Sequence, residues 1–377
     1  MQRTRFAKWI CAVGILIGPI EASAQAQLPL LPTKTLTFEA VESDPNFALP
    51  AITTDYPHCL SDGSLVLHTV DWEAVRKAPK GTIPKYNRIV TIIQGKRIQA
   101  ISSTSISDLT DFEIRDIFPA DSGIYFLVVG SKEQPGQRGP GKSPAGISWQ
   151  SYRDFVGRFD LDGTYKGAVE LGVRCDLTRP GYCDLSHLSV FPSGDMLVTE
   201  PDPLTSSLQV LYLKSSGEIA KQIDVPAGRR PMDWGDSSSN PELRQAARVF
   251  LSSVFFTAVD QNIVVWRANS SDPVVEVSQG GGVREVPLQI PDGYRFADMS
   301  ASNDRWVMHF RTEDTPPTAR MSEDTDAYYE VRPQDGSLAA KLVQAGGSPR
   351  SIACESNGTY TSFKMNDAGK MVLLQAK

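Results

Sequence analysis

The chain has 377 residues, 41% of them hydrophobic and 22% charged, with a net charge of −6. That is enough apolar material for a sizeable core, in one large domain or two ordinary ones. The acidic balance argues against a nucleic-acid partner and favours solubility.

In chain order, Arg3, Arg5 and Lys8 make a basic opening, Ile10–Ile20 is a short apolar run, and Ala22-Ser23-Ala24 has the small residues of a cleavage site. Residues 1–24 read as a signal peptide, with an uncleaved anchor as the alternative. The run is too short for a stop-transfer helix. We expect a secreted or periplasmic protein with no membrane insertion after cleavage.

A turn phrase then recurs. Ser61-Asp62-Gly63, Asp121-Ser122-Gly123, Pro192-Ser193-Gly194, Asp260-Gln261-Asn262, Asn303-Asp304 and Ser356-Asn357-Gly358 each lead into a β-prone run such as LVLHTV, IYFLVV or MLVTE. A tight turn entering a strand six times predicts an all-β, six-bladed β-propeller with four-stranded antiparallel blades, filling residues 25–377 as one domain. A seven-bladed ring with one degenerate blade and a pair of packed β-domains are the alternatives. Blade six lacks a fourth strand at the C-terminus, and Thr35–Val41 is β-prone with no partner nearby. Placing that segment in the last blade closes the ring and removes an exposed edge.

Turns within hairpins are short and glycine-bearing, including Asp162-Gly163, Ser216-Gly217 and Asp335-Gly336. Asp before these glycines is favoured by turn chemistry alone. The other connections are mostly long: 73–87, 131–151, 173–186, 226–250 and 312–326. In a four-stranded blade the two kinds fall on opposite faces of the disc. The long-loop face is the expected working surface, for a protein or a small ligand. Its loops are basic early (Arg76, Lys77, Lys80, Lys85, Lys132, Arg138, Lys142, Arg229, Arg230) and acidic late (Glu313, Asp314, Glu323, Asp324, Asp326), which makes a dipolar rim. The Gly/Pro-rich stretch Glu133–Gly146 reads as mobile, and Pro241–Phe250 as a short helix.

Four cysteines follow the signal: Cys59, Cys175, Cys183 and Cys354. An even count in an oxidising compartment suggests disulfides. Cys175 and Cys183 flank a turn-rich loop. Cys59 and Cys354 each lie four residues before the glycine of their turn phrase, in the first and last repeats, which are neighbours in a closed ring. The open question is whether inner strands of adjacent blades approach within disulfide reach; the alternative is two buried thiols.

No linear motif carries chemistry. The four histidines have no zinc spacing, and no Gly-x-Ser-x-Gly elbow, phosphate loop or GxGxxG follows a strand. We expect no metal and no cofactor. The remaining route is convergence at the axis, where His58, Arg115, Asp116, His187, Asp298 and Arg350 fall near the starts of innermost strands. A solvated channel lining is the plainer account of them.

The stretch His187–Asp202 (HLSVFPSGDMLVTEPD) resembles an NHL-type repeat, and Val156–Gly163 is similar to the outer hairpin of such blades. Glu200 stands where the pattern has Asp, and blades four and five lack the turn glycine. The resemblance implies a six-bladed propeller within a group that holds TolB-like periplasmic modules, NHL scaffolds and calcium-dependent lactonases. The calcium set of those lactonases has no residue-by-residue counterpart here. The sequence thus favours an exported binding or scaffold module, with a lactonase-like or carbohydrate-active hydrolase or lyase as the alternative.

Overall fold

The computed structural model describes residues 31–41, 58–77, 87–94, 97–173, 185–201, 208–225, 254–259, 261–268, 270–302, 305–316, 320–346, 350–365 and 371–377. The signal peptide, the helix expected at Pro241–Phe250, and Cys175 and Cys183 lie outside the described residues. Of Cys354 only the backbone is described.

Two short N-terminal strands, β1 (Thr33–Leu36) and β2 (Glu39–Ala40), precede the ring. Blade one holds β3 (His58–Cys59), β4 (Leu65–Val70), β5 (Arg88–Gln94) and β6 (Arg97–Ser102). Blade two holds β7 (Asp111–Ala120), β8 (Gly123–Ser131), β9 (Arg153–Phe159) and β10 (Tyr165–Glu170). Blade three holds β11 (Leu188–Val190), β12 (Met196–Pro201), β13 (Leu208–Leu213) and β14 (Ile219–Ile223). Blade four holds β15 (Val254–Val259), β16 (Asn262–Arg267), β17 (Val274–Ser278) and β18 (Val283–Val286). Blade five holds β19 (Tyr294–Ala301), β20 (Trp306–Thr312), β21 (Asp326–Val331) and β22 (Leu338–Gln344). Blade six holds β23 (Cys354–Ser356), β24 (Thr359–Met365) and β25 (Met371–Ala376). Each blade is an antiparallel meander, and the fold is a six-bladed propeller.

Ring closure is more elaborate than the sequence suggests. β2 pairs antiparallel with β25 and supplies the fourth strand of blade six. β1 pairs parallel with β22 and becomes a fifth, outermost strand of blade five. The N-terminal segment therefore clasps two blades. Leu36, 1% exposed, anchors it between Leu342 of blade five and Tyr360 of blade six.

Every blade interface has its own apolar cluster, because alternate residues of a strand face opposite neighbours. Among the described residues, the interfaces from blades one–two through four–five contain between 11 and 15 buried apolar side chains each. Among the described residues the two interfaces of blade six contain 7 and 5.

Glycine turns stack one blade on the next. Gly217 has φ 89°, and a Cβ there would sit 2.1 Å from the carbonyl oxygen of Glu170 in the preceding blade. Gly336, φ 69°, repeats this against Pro287, where a Cβ would sit at 2.0 Å. Its carbonyl accepts the Gln289 N–H. Only glycine satisfies both the left-handed backbone and the close approach. Asp62, Asp162 and Asp335 each accept the N–H two residues on, the turn role expected of them.

Two loops differ from expectation. A short α-helix, Trp72–Lys77, begins the long connection 73–87. Glu133–Gly146 is pinned: Thr110 Oγ1 donates to the Glu133 carbonyl, Gly136 N–H donates to Ala145, and Arg138 Nε donates to Pro144. Ile147 and Tyr152 pack with Val129 to seat the loop on blade two.

Candidate functional site

The six strands β3, β7, β11, β15, β19 and β23 are each the edge strand of their sheet. They touch in the order β7–β11–β15–β19–β23–β3, so their open edges surround the axis. An open edge presents unpaired N–H and C=O groups that need partners. His58, Arg115, Asp116 and Asp298 lie on these strands, with His187 and Arg350 just ahead of β11 and β23.

Asp116 and Asp298 occupy equivalent irregularities. The pairing of β7 with β8 slips between Ile114 and Asp116, and that of β19 with β20 slips between Phe296 and Asp298. Arg115 and Ala297 are the extra residues of these two β-bulges, which occur in opposite blades of the ring. Each bulge turns an aspartate onto its own open edge: Asp116 Oδ1 accepts Ile117 N–H at 2.9 Å, and Asp298 Oδ1 accepts Met299 N–H at 2.8 Å.

The second oxygens differ. Asp116 Oδ2 accepts Leu188 N–H of blade three at 2.7 Å and lies 3.9 Å from His187 Nδ1. That aspartate is saturated and ties two blades together. Asp298 has only the Met299 hydrogen bond among the described residues. Burial pushes its carboxyl up to about 7, with that N–H acting in the opposite direction. Arg115 is beside Asp116; NH1 reaches Glu113 at 3.2 Å, and Nε is buried with no partner among the described residues.

Of the six residues expected at the axis, Asp116 and His187 are brought together. His58 packs edge-on against Phe118, with ring centroids 6.2 Å apart, and His187 similarly meets Phe256. The Arg350 backbone is held by the Gln344 side chain at both its N–H and C=O. Among the described residues, no three His, Cys, Asp or Glu side chains form a group that could hold a metal ion.

The sequence reading missed a second polar assembly, on the face of blade five that packs against blade six. Asp326, counted in the exposed acidic rim, is instead buried. Its Oδ1 accepts His309 Nε2 at 2.7 Å and Arg311 Nε at 2.9 Å, and its Oδ2 accepts Ser322 N–H and Thr325 Oγ1. Burial pushes the Asp326 carboxyl up, but these donors outweigh it and hold the carboxyl below its usual range. Burial also lowers His309, so Arg311 is the cation that balances Asp326 while the imidazole donates in its neutral form. The His309 ring stacks on Tyr328 at 4.6 Å.

Further along this face Glu330 accepts Lys34 Nζ of the clasp at 2.7 Å, Arg305 NH1 at 3.1 Å, and the Tyr360 hydroxyl of blade six. Arg305 also approaches Glu355 of blade six at 3.7 Å, and Ser302 Oγ donates to that same carboxylate. Alternation was the available signal: His309 and Arg311 share a strand face with Val307, and Asp326 and Glu330 share one with Tyr328.

No protein-family model and no curated protein sequence matches the chain. Solved structures do match. A streptogramin B lyase structure is 10% identical, with TM-score 0.39, over 91% of this chain and 88% of that one. Virginiamycin B lyase from Staphylococcus aureus is 10% identical, with TM-score 0.35, over 85% and 95%. The β-propeller domain of the Trilobed protease from Pyrococcus furiosus is 11% identical, with TM-score 0.39, over 88% and 82%. At this identity the likeness is one of fold.

Proposed function

We propose that the protein is an exported binding module of the NHL or TolB-like scaffold type, taking a small polar ligand in its axial channel from the long-loop face. Asp298 carries the reading. Its bulge places a carboxyl on the open edge at the axis, and among the described residues one oxygen has no partner, whereas the twin oxygen of Asp116 is capped by the neighbouring blade. On the long-loop face, Lys132, Arg138 and Lys142 of blade two are exposed, as are Glu313, Asp314, Glu323 and Asp324 of blade five. Opposed charges on opposite blades orient a dipolar ligand as it approaches.

One observation favours a second reading, that of a hydrolase or lyase. A carboxyl at about 7 suits proton transfer near neutral pH. The two readings share a first test: a thermal-shift panel of sugars, lactones, amines and amino acids, followed by calorimetry on wild type, Asp298→Asn and Asp116→Asn. The binding reading expects a ligand whose affinity falls at least about tenfold in Asp298→Asn, the loss of one charge-assisted hydrogen bond. A ligand held equally by all three proteins would overturn it, and product formation from a panel member would move the assignment to the enzyme.

A further inference from the structure

Among the described residues, the interface between blades six and one contains 5 buried apolar side chains. The clasp strand β1 and the Glu330 carboxylate network reinforce the other side of blade six, between blades five and six. At the inner end of the six–one interface β3 and β23 lie side by side. Cys59 ends β3 and Cys354 begins β23. Cys59 Sγ is 3.3 Å from the carbonyl oxygen of Ala353, the residue immediately before Cys354, and 4.0 Å from Ser300 Oγ of β19. The sulfur therefore reaches the start of β23 at the axis. The objection that inner strands of adjacent blades stand too far apart is met here by side-chain contact with the neighbouring residue. Cys59 is also a half-cystine.

We propose that Cys59 and Cys354 form a disulfide that staples blade one to blade six at the axis, complementing the clasp that fastens blades five and six at the rim. Each thiol gives up a proton, and the pair passes two electrons to a disulfide-bearing oxidant, which leaves as its dithiol after exchange. The bond spans nearly the whole propeller, so it removes far more freedom from the unfolded chain than a local loop would.

The test uses the full mature protein. It is denatured without reductant, blocked with iodoacetamide, digested and mapped by mass spectrometry. The expected result is a peptide pair joining Cys59 to Cys354, lighter than the sum of its parts by two hydrogens and lost on reduction. Alkylation of either cysteine, or a link from Cys59 to Cys175 or Cys183, overturns the proposal. Reduction is further expected to lower the melting temperature of wild type by about 5 °C. The same treatment should leave a Cys59→Ser/Cys354→Ser protein largely unmoved. Equal shifts in the two proteins would show that the bond does not fasten the ring.

Discussion

Glu330 is the point at which clasp, blade five and blade six share one charge, so removing that charge tests how the ring is fastened. Glu330→Gln keeps the volume but withdraws the negative charge that Lys34, Arg305 and Tyr360 address. Lys34 is nearly half exposed, and its share is at most about 1 kcal/mol. Arg305 and Tyr360 are more enclosed, and weakening their acceptor costs about 1 kcal/mol each. The total is about 3 kcal/mol. A fold of this size unfolds with an entropy of about 0.7 kcal/mol/K, so the melting temperature should fall by about 4 °C. Lys34→Met alone should cost about 1 °C. Circular dichroism melts at pH 7, in low and high salt, check both values, and added salt should shrink only the Lys34 effect. A Glu330→Gln shift below 1 °C, or one no larger than that of Lys34→Met, would refute the claim that this carboxylate joins three elements.

Three further predictions concern pH and an inter-blade turn. Glu330 and Asp326 are held below their usual range, so their stabilisation is present above the unfolded carboxylate range and is lost as pH falls through their folded values. His309 is lowered too, so falling pH below about 6.5 protonates the unfolded chain first and adds to the loss. Asp298 has the opposite sign: its folded value near 7 lies above the unfolded one, so stability falls as pH rises from about 4 to 7. Asp298→Asn, which keeps an acceptor for Met299, should therefore raise the melting temperature at pH 8 by several degrees and leave it nearly unchanged at pH 4; equal effects at both would contradict the burial argument. Gly336→Ala should cost about 3 kcal/mol or more, through both positive φ and collision with Pro287. Gly346→Ala, at φ 84° with nothing within 4 Å, should cost only about 1 kcal/mol, and similar chemical-denaturation midpoints for the two would exclude the inter-blade contact as the cause.

What the sequence made legible was whatever repeats. The turn phrase carries blade number and strand order because each blade solves the same local problem, a tight reversal between strands that alternate their faces. Asp335-Gly336 is readable as a turn from two residues, but its contact with Pro287 is not, since that requires the register of one blade against the next. The clasp was half legible. Thr35–Val41 has the β-propensity of a missing strand, yet its division between a parallel pairing with β22 and an antiparallel pairing with β25 depends on where the ring brings two sheet edges. Asp326 was misplaced in a solvated rim because its neighbours Glu323 and Asp324 are exposed. Only strand pairing shows that it faces His309 and Arg311.

The open edges at the axis explain why the candidate site takes the form it does. A propeller protects its outer edges with the clasp and with turns, but its six inner edges must face the channel. Their polar groups need either water or side chains, and a side chain cannot bond the edge of its own strand without a local change in direction. A β-bulge supplies that change, and an aspartate directly after it reaches the next N–H. At Asp116 the solution is complete, since the second oxygen caps the neighbouring blade and His187 stands alongside. At Asp298 the equivalent device is built to the same point and stops. The next blade there begins with β23, three residues long, and among the described residues it offers this carboxyl no N–H. Burial makes a carboxyl in that position costly to ionise and raises its proton affinity. A ligand that donated a hydrogen bond or a positive charge to the free oxygen would recover that cost on binding. The two bulges are thus alike in backbone and unlike in use: one fastens the ring, and the other holds open the position at which a ligand gains most.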